Sequence, residues 1–332
     1  MKVLILGAGG MIGQKLVQQL VSKPYLSEKE ISHIQLVDAF IDPRIPTGAK
    51  FPIESLIADV SNPKTCTDLI STEPQVIFHL AAIVSGEAET DFEKGYRVNL
   101  DGTRNILEAI RARKHYFPRV VYTSTAAVYG GPYPDEIDDD FILQPTTSYG
   151  TQKAIGELLL NDYSRRGFLD GVGLRLPTIC VRPGKPNAAA SGVFSNIIRE
   201  PLAGIETTLS VSKDVSMIFA SPRSAIGFLI HAAQLDTKLL GDRRSMMMPG
   251  VHATIGQEIE ALRRVAGEKV VSFIREIPVD PFAQKMVDAW NFPAFPATRA
   301  QSLGFTCEKT FDELIHLHIE SELDGKIPGQ SA

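Results

Sequence analysis

The chain has 332 residues, enough for one large α/β domain with a smaller second one. Its 44% apolar and 22% charged residues are ordinary for a globular protein, and a formal net charge of −5 leaves no basic footprint for nucleic acid. Cys66, Cys180 and Cys307 are scattered without CxxC spacing, which argues for a reducing compartment and against a thiol metal cage or disulfide frame. No apolar run approaches the ~20 residues of a membrane span, so a cytoplasmic address is expected. Met1 to Ile12 is apolar enough for a short signal-peptide core, but Gly7, Gly9 and Gly10 interrupt it, and it reads better as a buried first strand.

Val3–Leu6 is a continuous apolar run, as expected of a central parallel strand covered on both faces. Gly7, Gly10 and Gly13 follow as GxxGxxG, and an amphipathic helix continues through Leu16, Val17 and Leu20. A glycine turn between first strand and first helix brings backbone N–H groups and a helix N-terminus to a pyrophosphate. The second strand, His33–Asp38, ends in a carboxylate that can accept from ribose hydroxyls and repels a 2′-phosphate. Asp38 therefore points to NAD over NADP, and Arg44 could soften that preference. Leu56–Val60 ends a third strand with Asp59, placed to accept from an adenine amine. Val76–Ala82 is a fourth strand running into small residues, with His79 read as a packed core histidine.

Residues 91–113 read as one long helix. Asn99 inside it is a poor helix former, and it either ties its backbone to a catalytic lysine through water or stands exposed and neutral. A fifth strand delivers Thr123, Ser124 and Thr125, hydroxyls at the edge where open α/β sheets bind ligands. Asp135 to Asp140 holds five carboxylates in six residues and reads as a solvated loop. Tyr149 and Lys153 then stand one helical turn apart. A free phenol has a pKa of roughly 10, and a nearby ammonium pulls it down toward the range of a useful base. Tyr25 and Lys29 share the spacing, but they precede the second strand, at the wrong edge of the sheet. Gly171–Ile179 gives a sixth strand, after which the strand–helix alternation becomes irregular. Met217–Phe219 and a helix over 222–235 are expected to return to the main domain.

With the glycine turn, Asp38, Asp59, the His79–Ala82 strand, Asn99, Thr125 and the Tyr149/Lys153 pair in order, the chain resembles the extended short-chain dehydrogenase/reductase family. That family also holds NAD-dependent epimerases and dehydratases. The resemblance implies a Rossmann doubly wound parallel sheet over residues 1–180, extended by about 210–235. A substrate-binding lobe would take 181–209 and 236–328. It implies Tyr149 as acid/base, Lys153 as holder of the nicotinamide ribose, and Thr125 as the hydroxyl that orients the reacting oxygen. NAD would touch Gly7, Gly10, Met11, Ile12, Gly13, Asp38, Asp59, Val60, Leu80, Ala81, Ala82, Asn99, Ser124, Tyr149, Lys153 and Thr178. A homodimer through the helices near 91–113 and 148–166 is implied as well.

Departures from the family pattern narrow the reaction. Ala126 and Ala127 stand where dehydratases carry Asp-Glu. Thr178, closing Arg175-Leu176-Pro177-Thr178, stands where epimerases commonly have asparagine. The segment from Arg182 to Gly204 resembles a group within the family that oxidises a small sugar acid at the hydroxyl beside the carboxylate. Arg182, Lys185 and Arg199 are candidate carboxylate partners, and Ser85, Thr125 and Asn187 complete the substrate set. A nucleotide-sugar epimerase is the alternative, and a sensor with a dead active site is a third reading that the intact Tyr149/Lys153/Thr125 set opposes.

Overall fold

A computed structural model describes residues 1–184, 191–288 and 291–331. The first half runs β1 (Lys2–Leu6), α1 (Met11–Ser22), β2 (Tyr25–Leu26), β3 (Lys29–Glu30), β4 (His33–Asp38), β5 (Ile53–Ile57), α2 (Pro63–Ile70) and β6 (Val76–His79). It continues with α3 (Ser85–Thr90), α4 (Phe92–Gly95), a π-helical turn (Tyr96–Asp101), α5 (Gly102–Arg111), β7 (Arg119–Thr125) and α6 (Ser148–Arg165). Then follow β8 (Asp170–Leu176), β9 (Thr178–Ile179), α7 (Gly192–Leu202), β10 (Thr207–Leu209), β11 (Ser216–Ala220), α8 (Pro222–Gln234), β12 (Ser245–Met247), β13 (Val251–Thr254), α9 (Ile255–Ala266) and β14 (Ile274–Glu276).

Seven strands form one parallel sheet in the order β12-β8-β7-β6-β1-β4-β5. This is the doubly wound arrangement, whose direction of winding reverses between β1 and β6. The residues of β1 from Val3 to Leu6 are at most 1% exposed, because helices cover both faces. One face packs Leu4, Leu6 and Ile77 against Leu69 and Ile70 of α2 and Ile106 and Ile110 of α5. Tyr25 and Lys29 lie in the β2–β3 hairpin, where Tyr25 pairs with Glu30. No helix joins them, so their spacing is accidental.

Two compact units divide the chain. One comprises Met1–Val128, Thr147–Leu176 and Ile226–Met248; the other comprises Tyr129–Thr146, Pro177–Ala225 and Pro249–Ala332. The expected boundaries near 180, 210 and 236 are displaced. Pro177 cannot donate a ladder hydrogen bond, so the expected sixth strand ends at Leu176. Thr178 and Ile179 pair instead with β11, in a three-stranded sheet ordered β13-β11-β9. Thus β11 does not return to the main sheet, whereas β12, expected in the smaller lobe, forms its edge beside β8. In the second unit Phe219 meets Phe194 and Phe311 edge-on at 5.3 and 5.2 Å, and β10 pairs with β14.

The long helix expected over 91–113 is three pieces, with the π-helical turn at Tyr96–Asp101 between α4 and α5. Such turns carry an extra residue per turn and often mark functional positions.

Candidate active site

The glycine turn is built by close approach. Gly7 adopts a φ of +83°, and a Cβ there would lie 2.7 Å from the Ala81 nitrogen. At Gly13 a Cβ would lie 2.4 Å from the Gly7 carbonyl oxygen. Gly9, not singled out from spacing, is equally constrained by Ile41 at 2.7 Å and the Asp38 carboxylate carbon at 3.0 Å. Gly10 differs, since its Cβ would meet only the Gly7 oxygen, at 3.5 Å. Gly10 is also the N-cap of α1 and has no side-chain cap, so the helix offers its first N–H groups and Met11 and Ile12 outward.

Asp38 is pinned by three backbone donors: Gly9 N to Oδ2 at 3.0 Å, and Phe40 N and Ile41 N to Oδ1 at 3.0 and 3.2 Å. Asp59 lies beyond the end of β5 and accepts from both the backbone and the hydroxyl of Ser61 at 2.8 Å. One cavity at the strand C-terminal ends is lined by Gly7, Gly10, Asp38, Asp59, Val60, Leu80, Ala81 and Ala82, eight of the residues expected from the sequence. Val37, Ala39, Phe40, Ala58, Ile83 and Val98 also line it. Those six are apolar and carry no spacing signal of their own; only position beside a flagged residue could have found them. An uncapped helix N-terminus, an open glycine, a fixed carboxylate at the second strand and a wall of small side chains fit a dinucleotide.

Tyr149 stands at the start of α6, capped by the Thr147 hydroxyl accepting from Gly150 N at 3.1 Å. Its ring packs against the small cluster of Ile83, Ala88 and Val98. Lys153, 2% exposed, donates to the Thr123 carbonyl at 2.9 Å. Its ammonium lies 4.8 Å from the Tyr122 ring centre and 5.8 Å from that of Tyr149. Burial pushes the Tyr149 phenol up to about 12. The expected lowering by the lysine is therefore reversed: desolvation outweighs it, and Lys153 itself is pulled by burial down to about 7, opposed by the Glu157 carboxylate. Thr125 closes β7, its hydroxyl oxygen accepting from Ala127 N at 3.2 Å.

Asn99 is 1% exposed, which rules out the exposed reading. Its amide accepts from Ile83 N at 2.9 Å and donates to Ile83 O at 3.2 Å and to Gln152 Oε1 at 2.8 Å. Its own carbonyl accepts from the Thr103 hydroxyl at 2.7 Å. It thereby fixes the wall residue Ile83 to the residue before Lys153. The Ser124 hydroxyl, expected at the cofactor, instead donates to Glu157, whose carboxylate is held bidentately by Arg175 at 2.8–3.1 Å. Neither Glu157 nor Arg175 was singled out for this from the sequence, because the partners are 18 residues apart. His79 is 1% exposed and is the core histidine expected, its Nε2 3.0 Å from the Thr103 hydroxyl.

Ser85 opens α3 in the first unit. Thr178, Arg182 and Arg199 lie in the second. Arg199 donates to the Arg182 carbonyl at 2.8 Å, to Asn196 at 2.7 Å and to Glu200 at 2.6 Å. Its guanidinium is spent internally, which disfavours it as a carboxylate partner. Burial and the neighbouring Arg199 charge hold Arg182 below its usual value. Lys185 and Asn187 fall outside the described residues. Among the described residues no helix is long and apolar enough to cross a membrane.

A model of the NAD dependent epimerase/dehydratase family matches residues 3–217. The chain belongs to that family. It is similar to a D-erythronate dehydrogenase of Cupriavidus necator, 45% identical over 327 residues that cover 96% of this chain and 98% of that one. A D-erythronate dehydrogenase of Haemophilus influenzae is 38% identical over 97% of this chain and all of its own length. Among solved structures, a nucleoside-diphosphate-sugar epimerase from Agrobacterium tumefaciens superposes with a TM-score of 0.95 at 55% identity, covering 98% of this chain and 96% of that one.

Proposed function

We propose that the chain oxidises the C2 hydroxyl of a small sugar acid of the D-erythronate type to the 2-keto acid. The observation that carries this reading is its 45% and 38% identity, over nearly full length, to two D-erythronate dehydrogenases. NAD, when bound, supplies the hydride acceptor. Gly7, Gly10, Met11, Ile12 and Gly13 would hold its pyrophosphate, Asp38 its ribose, Asp59 and Val60 its adenine, and Leu80 to Ala82 its flat face. Thr178 is the one cofactor candidate from the second unit. Thr125, with Ser85, orients the substrate oxygen. Tyr149 takes the hydroxyl proton as the C2–H bond breaks and the carbonyl forms. The N-terminus of α6 and the Lys153 ammonium favour the phenolate that this requires. Arg182 and Arg199 are the two described candidates for the carboxylate, and Arg199 also holds the Arg182 backbone. The first unit serves as the NAD-binding part and the second as the substrate-binding lobe.

A homodimer through α5 and α6 is part of this reading, supported by Leu158, an apolar residue of α6 that is 64% exposed. So is a cytoplasmic address, on the strength of the three free cysteines.

The name borne by the 55%-identical structure favours a second reading, a nucleotide-sugar epimerase in which hydride returns to the substrate. Thr178 in place of asparagine weighs against it. The two are separated by NADH absorbance with NAD and four- to six-carbon sugar acids, beside a nucleotide-sugar panel. Net NADH on an acid, reduced about 10²–10⁴-fold in Tyr149→Phe with NAD binding retained, is the expected outcome. Inversion of a nucleotide sugar without net NADH would overturn it.

A further inference from the structure

We propose that Glu157 is a positioning residue of the reaction: it is the fixed counter-charge of the Lys153 ammonium, and Arg175 sets how much of that charge the lysine feels. This rests on the reading of Tyr149 and Lys153 as the proton-transfer pair.

The geometry is specific. Glu157 follows Lys153 by four residues on α6, so their Cβ atoms lie about 5–6 Å apart on one helix face. Both side chains are buried, Glu157 at 3% and Lys153 at 2% exposure. A carboxylate in such a place is costly unless it is hydrogen-bonded and paired. It has them in the Ser124 hydroxyl and in Arg175, whose Nε lies 3.1 and 3.0 Å from the two oxygens and whose Nη2 lies 2.8 Å from one. Ser124 directly precedes Thr125, so the same carboxylate also anchors the end of β7.

The groups that set the field at Lys153 are Tyr149 and Glu157 on α6, Tyr122 on β7, His79 on β6 and Arg175 on β8. Burial holds His79 neutral and raises both tyrosine phenols, so the counter-charge that Lys153 meets among them is the Glu157 carboxylate. Burial pulls Lys153 down, and the carboxylate opposes it. Arg175 partly cancels that carboxylate. Removing either partner breaks the same ion pair, yet the two removals act on Lys153 with opposite sign.

That opposition is the test. Lysine labelled with carbon-13 at Cε, with the Lys153 resonance assigned by its loss in Lys153→Arg, gives the titration midpoint by NMR, with and without NAD. Glu157→Gln should move the midpoint acidic by about one pH unit or more, and Arg175→Gln should move it alkaline. In NADH formation the pH profiles should separate in the same two directions. Should Glu157→Gln fail to fold beside the Arg175 guanidinium, Glu157→Gln with Arg175→Met removes both members of the ion pair and should also titrate below the wild type. Midpoints that stay put, or move together while thermal stability falls, would make the pair a structural brace only and overturn the proposal. If the wild type makes no NADH from any sugar acid, the proposed reaction fails, and the lysine titration still decides the role of Glu157.

Discussion

Gly10 and Gly13 differ by three positions and by what a methyl group would meet. A side chain at Gly13 runs into the backbone of Gly7 and Ala8, with no flexible atom to move. Gly13→Ala should cost about 1–3 kcal/mol of stability. Gly10→Ala should cost under about 1 kcal/mol as a cap change, yet weaken NAD binding tenfold or more. Calorimetric melting and NAD titration of both variants check this pairing. His79 gives a pH prediction. Burial holds its imidazole near 3, below the free value of 6.5. Between those limits the unfolded chain binds a proton that the folded chain refuses. Stability is therefore fully present above about pH 6.5 and is lost as pH falls toward 3, by up to about 1.4 kcal/mol per unit. His79→Gln should flatten that acid limb in urea unfolding curves measured across the range.

The π-helical turn is the element that joins Ile83, in the wall of the cavity, to Gln152 of α6. Replacing Asn99 by Leu would orphan the N–H and C=O of Ile83 and the Gln152 carbonyl, all inside the protein. At about 1–3 kcal/mol for each buried unpaired group, the variant should lose about 3 kcal/mol or more and bind NAD more weakly. Denaturant midpoint and NAD titration report the two effects separately. Much at this scale was legible beforehand. The apolar runs of β1, β4, β6 and β7 declare buried parallel strands, and the glycine turn and Asp38 place themselves by following β1 and ending β4. The π-helical turn was not legible, because an added residue inside a helix alters neither composition nor apolar spacing. Asn99 is a helix misfit with two readings open in the sequence, and its burial removes the exposed one. The Glu157–Arg175 pair stayed hidden because it is made across strand and helix.

At the scale of the molecule the two units are each assembled from three separated stretches. Sequence order misled where pairing is non-local: β12 has only three residues, and nothing in them shows that their partner is β8. A fragment ending at residue 180, the boundary expected from the sequence, should therefore not behave as a domain. It lacks β12 and the α8 segment from Ile226 onward, leaving β8 as a bare edge. Size-exclusion chromatography should find it aggregated, while the full chain elutes as a defined species.

The late arrival of β12 also matters during synthesis. The ribosome completes β8 and must then make residues 177–244 before the edge strand emerges. Throughout that interval the nascent sheet has one unclosed side, and a hydrogen-bonding row faces whatever is nearby. The order in which this chain is read out thus creates a window in which a chaperone, or slow decoding, would decide between a finished sheet and a tangled one.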